Sequence, residues 1–74
     1  MIDEFTRYQN RVDRYRKEHP EQRYGQAAFN VLYDERPELA NQVRATLLDP
    51  FHVDERLTAF LRFIEPHMRA QVGN

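Results

Sequence analysis

Between residues 21 and 35 the apolar side chains Tyr24, Ala27, Ala28, Phe29, Val31, Leu32 and Tyr33 recur at helical spacing and surround most of the barrel. Only Arg23, Gln26, Asn30 and Asp34 form a polar stripe. A helix apolar over that much of its circumference needs neighbours on at least two sides, so it belongs in the middle of a fold. The rest of the chain must supply those neighbours.

No stretch alternates like a strand, and the prolines divide the chain into helical pieces. The first helix is expected from about Asp3 to Glu18, with Asp3 and Glu4 at the positive end of its dipole and His19-Pro20 as the stop. Its apolar residues Phe5, Tyr8, Val12 and Tyr15 make a narrow seam of heptad type, suited to packing on one other helix. The second helix is expected from Glu21 or Gln22 to Glu35. Gly25 lies near its start and, with Ala28, would let another helix approach closely.

Pro37 suits the first position of a third helix, with Glu38 in its first turn and Leu39, Ala40, Val43 and Leu47 on one face. Asp49-Pro50 and Asp54 are turn or cap signals ahead of a fourth helix, Asp54 to Glu65, whose Leu57, Phe60, Leu61 and Ile64 share a face. Pro66 is expected to end it, leaving 66–74 as a frayed tail. The fold class expected is all-α: one domain over 1–74, a compact bundle of three to four short helices with helix 2 central. The N-terminal helix, 1–19, either completes the bundle or pairs with a second copy to give a homodimer.

The chemistry of the chain excludes more than it selects. With no Ser and no Cys, the common activated nucleophiles are missing. Thr6, Thr46, Thr58 and Lys17 have no evident base beside them, and Gly25 and Gly73 are the only glycines, so there is no phosphate-cradling loop. No catalytic residue, cofactor or metal site is therefore expected. Asp49, His52 and Asp54 lie close together, but zinc or calcium needs four or more ligands, and the two carboxylates read as caps. His19 and His67 each adjoin a proline at a helix end, where an imidazolium suits the dipole.

Eleven basic and twelve acidic residues give a net charge of −1. They are spread evenly: residues 1–19 hold five basic and four acidic groups, and 20–74 hold six and eight. Nucleic acid is thus not the expected partner, since non-specific binding to it is phosphate neutralisation. The alternative is a helix-turn-helix at 23–46, with Asn41, Gln42 and Arg44 reading bases; Asp34, Glu35 and Glu38 at its mouth would meet phosphates. No apolar run approaches the roughly 20 residues that span a bilayer, and the acidic opening MIDEFTRYQN does not read as a secretion signal. A cytoplasmic setting is expected.

Arg7, Arg11 and Arg14 fall at i, i+4, i+7 along helix 1 beside the tyrosine seam. Arg and Tyr are enriched at interface hot spots, so Arg7, Tyr8, Arg11, Arg14 and Tyr15 are the candidate partner-binding residues.

The elements RYGQAAFN, RPELA and DPFHVDERLTAF, all within residues 23–65, resemble short uncharacterised helical proteins encoded by bacteriophages and prophages. The resemblance implies a setting, that of small accessory proteins which bind and modulate a host factor, and it carries no functional residues with it. Helix 1 lies outside the shared pattern. The function expected is a non-enzymatic protein-interaction module with a protein partner.

Overall fold

A computed structural model of the chain describes residues 2–44, 46 and 48–69. Four helices, α1 (Glu4–Glu18), α2 (Tyr24–Glu35), α3 (Pro37–Val43) and α4 (Leu57–Arg69), with a 3-10 turn at Asp54–Arg56 leading into α4, form an all-α bundle. No strand occurs among the described residues.

Local chemistry explains where α1 begins. Asp3 takes an extended backbone and its carboxylate accepts the Thr6 N–H at 2.8 Å, satisfying one of the free amides of the first turn. That bond, helped by Arg69, holds the Asp3 carboxyl below its ordinary value. Helix α2 starts later than Glu21 or Gln22. Residues 20–22 form a turn closed by Gln22 N–H on the His19 carbonyl at 3.0 Å, and Gln26 reaches back to accept the Arg23 N–H at 3.1 Å. Pro37 opens α3 as expected, and Arg36 is the only residue between α2 and α3.

Helix α2 touches α1, α3 and the 3-10 turn, which is why it is apolar on so many sides. Ala27, Ala28, Val31 and Leu32 are all buried there. Helix α1 completes the bundle. It runs antiparallel to α2, with Arg16 over Tyr24 at one end and Glu4 on Arg36 at the other. Helix α4 packs on α1, with Phe60, Ile64 and Met68 fully buried. Leu47, expected on the buried face of α3, lies outside the described residues.

Gly25 admits a loop where a helix was expected. The backbone of Pro50 and the Asp54 side chain press against α2 there, and the Gly25 N–H donates to Asp54 Oδ1 at 3.3 Å.

Pro66 does not end α4. A proline inside a helix removes one backbone bond and crowds the preceding turn, at a cost of about 3 kcal/mol. The final turn nonetheless persists through Arg69, because tertiary contacts hold it: Met68 is in the core, and Arg69 pairs with Asp3 at 3.1 Å and lies 5.0 Å above the Phe5 ring. The expected frayed tail is therefore helical through residue 69, and 70–74 lie outside the described residues. Met68→Ala is expected to cost about 2 kcal/mol in urea denaturation, the low end for a buried methionine because the last turn can partly close over the gap. A helix that stopped at Glu65 would show no such loss.

Candidate interaction surface

The five residues singled out on α1 do not share one exposed face. Tyr8 is a core residue, 1% exposed, and its hydroxyl donates to the Ala28 carbonyl of α2 at 2.6 Å. The seam that made it attractive is what α2 and α4 cover. Arg11 is also engaged: Nη1 donates to Glu35 Oε2 at 2.9 Å and Nη2 to Asp34 Oδ2 at 2.7 Å. This clasp joins the middle of α1 to the last turn of α2, and the bonds to Glu35 and Asp34 raise the guanidinium's pKa. Tyr15 packs against the core, its ring 4.2 Å from that of His19. Arg7 and Arg14 are exposed, and Arg14 borders an open depression with Arg11, Tyr15 and Glu18. The stripe is thus divided between a clasp and solvent.

Because the Arg11 clasp is partly exposed, Arg11→Ala is expected to cost no more than about 1 kcal/mol. The loss should shrink as salt is raised, which chemical denaturation at low and high ionic strength will read.

Both carboxylates of the acidic loop bond within the fold. Asp49 Oδ1 accepts the Phe51 N–H at 2.9 Å, closing a tight turn. Asp54 serves the first turn of α2 through Gly25 and pairs with Arg23 at 3.5 Å. His52 is exposed and stands edge-on to Phe51 at 4.8 Å. Among the described residues no group of His, Asp and Glu is placed to hold a metal ion.

At the helix pair, Asn41, Gln42 and Arg44 are exposed, on an α3 of seven residues. The acids at its mouth are occupied. Asp34 and Glu35 hold Arg11, while Arg36 bridges Glu38 at 2.5 Å and Glu4 at 2.8 Å. The bond from Arg36 lowers the Glu38 carboxyl's pKa.

A different surface emerges where α3 ends against α2. Tyr33, expected in the core, is 48% exposed. Arg44 caps α3, its N–H bonded to the Ala40 carbonyl, and its guanidinium lies 4.9 Å above the Tyr33 ring and 5.8 Å from that of Phe29. Phe29 meets Phe51 edge-on at 6.0 Å, and Phe51 meets His52. Arg44, Tyr33 and His52 are thus exposed at the two ends of a chain of ring contacts that passes through the buried Phe29 and the half-buried Phe51. Tyr33 was hidden because periodicity does not say which apolar residue of a helix apolar over most of its circumference is left outside.

No protein-family model, curated protein or solved structure matches the chain. The functional reading rests on this geometry and on the residues themselves. No helix among the described residues is long and apolar enough to cross a membrane.

Proposed function

We propose that the protein is a non-enzymatic interaction module, a phage-type accessory protein that works by occupying the surface of a host factor in the cytoplasm and modulating it. The observation that supports this reading is the exposed Tyr33 with Arg44 laid across it. Tyr33 and Ile2 are the large apolar side chains left exposed among the described residues. Ile2 precedes α1, whereas Tyr33 sits on the central helix and its neighbour Arg44 is fixed at the end of α3. Tyrosine and arginine side by side have the chemistry of an interface anchor: large contact area and polar edges.

The test is capture of bacterial host lysate on the tagged protein, with and without nuclease, followed by mass spectrometry. The expected result is a stoichiometric protein that survives nuclease treatment. Retention of nucleic acid, or of proteins lost with nuclease, would replace this reading with a DNA-binding regulator built on residues 23–46.

A further inference from the structure

Resting on that reading, we infer that the Tyr33–Arg44 surface docks an acidic protein segment, one that presents an Asp or Glu carboxylate beside an apolar side chain. Three features point to this partner.

The first is an unspent charge. Arg44 makes no ion pair with any described residue, whereas the neighbouring cations are engaged: Arg23 with Asp54 and the Phe51 carbonyl, Arg56 with the Thr46 carbonyl. The second is position. The Arg44 guanidinium carbon lies 4.9 Å over the Tyr33 ring, and a cation–π contact uses none of the guanidinium's N–H donors in a hydrogen bond to an acceptor, so they can serve a carboxylate. The third is the exposed Tyr33 ring beside it, an apolar surface that would be covered by the segment's neighbouring side chain.

The same features favour a carboxylate over a phosphate backbone. Nucleic acid is held by several cations along a track. Here Arg44 is a single guanidinium over the Tyr33 ring, and the neighbouring Arg23 and Arg56 are already engaged. A polyanion would find one contact where it needs several, while a short segment needs only one carboxylate on Arg44.

The experiment titrates the full-length protein, labelled for amide NMR, with three probes at low salt. They are a short synthetic peptide of Glu, Asp, Leu and Phe, the same peptide with Gln and Asn for its acids, and a duplex DNA oligonucleotide. The acidic peptide is expected to give saturable shifts centred on Tyr33 and Arg44, and the neutral one to bind about tenfold more weakly or not at all. Arg44→Ala and Tyr33→Ala, both exposed positions, should each weaken the acidic peptide about tenfold. Arg44→Lys should restore only part of the loss, since it keeps the charge without the fork, and Arg7→Ala should change nothing.

Equal binding of the two peptides, shifts centred on Arg7 and Arg14, or no binding at all would overturn the inference. DNA shifting the same residues more strongly would overturn it in favour of a nucleic-acid reader. The two proposals fail separately. A host partner captured equally well by wild type and Arg44→Glu leaves the interaction module standing and removes this surface as its docking site. Specific peptide binding with no captured host protein does the reverse.

Discussion

Gly25→Ala is expected to destabilise the protein by about 3 kcal/mol or more, reversing the sign this exchange has in an ordinary helix. Alanine normally gains about 1 kcal/mol over glycine inside a helix. At this position a Cβ would fall on the Pro50 carbonyl oxygen and within 2.8 Å of Asp54 Oδ1. A backbone carbonyl cannot swing aside as a side-chain tip can. Either the Pro50–Asp54 segment lifts from α2 or the first turn of α2 unwinds. Lifting the segment would also sacrifice the Gly25–Asp54 bond, the Arg23 bond to the Phe51 carbonyl and the Phe29–Phe51 contact. In a domain of this size such a loss lowers Tm by about 15 °C, a shift that thermal denaturation followed by circular dichroism will resolve. An unchanged or raised Tm would show that the loop does not sit on Gly25.

Tyr8→Ala is expected to cost about 4 kcal/mol, close to the whole stability a single small core usually supplies, so that the variant is largely unfolded at physiological temperature. The change empties the space between α1 and α2 and removes the hydroxyl bonded to Ala28. Tyr8→Phe separates the two contributions. It keeps the ring and should cost only about 1 kcal/mol, the net worth of one hydrogen bond. The pair also carries a pH signature. Burial raises the Tyr8 phenol's pKa well above its ordinary 10.0, with smaller contributions from Tyr24 and Glu35. A group whose folded pKa is raised gives its stabilisation in full below the unfolded value and loses it as pH climbs above. Stability should therefore fall from about pH 10 upward, by about 1.4 kcal/mol per pH unit for this one group. Urea titrations at successive alkaline pH values should show a shallower fall in Tyr8→Phe. Part of the dependence will remain, because burial raises Tyr24 as well. Identical pH profiles for wild type and Tyr8→Phe would place Tyr8 outside the core.

How far such features could be foreseen depends on how local their causes are. An acid at the head of α1, Pro37 at the head of α3 and the Phe5, Tyr8, Val12 face of α1 follow from neighbours within a turn or two, and the sequence shows them directly; that Asp3 stands just outside the helix as its cap is seen only in the fold. The persistence of α4 beyond Pro66 does not, because what compensates the proline is Asp3 and Phe5 at the far end of the chain. The same holds for the arginine stripe. Its spacing identified one side of α1, but the acids that engage Arg11 belong to α2, and nothing in the heptad pattern announces them. Gly25 is an intermediate case: its composition signalled a close approach, and only the folded chain shows that Pro50 makes it. The surface at Tyr33 was least legible, since it depends on where a seven-residue helix stops and where the arginine that caps it lies.

The ion pair between Asp3 and Arg69 has a consequence for the order of assembly. Helices α1 and α2 are joined by a short turn, and their antiparallel pairing closes only a small loop. The contact of α4 with α1 closes nearly the whole described chain, at an entropy cost that grows with the logarithm of that length. During synthesis the α1–α2–α3 portion emerges from the ribosome first, with the side of α1 that receives α4 still uncovered. Of the four described helices, the last to be made is thus the one that seals the first, and until Met68 and Arg69 arrive the nascent chain carries an open apolar seam.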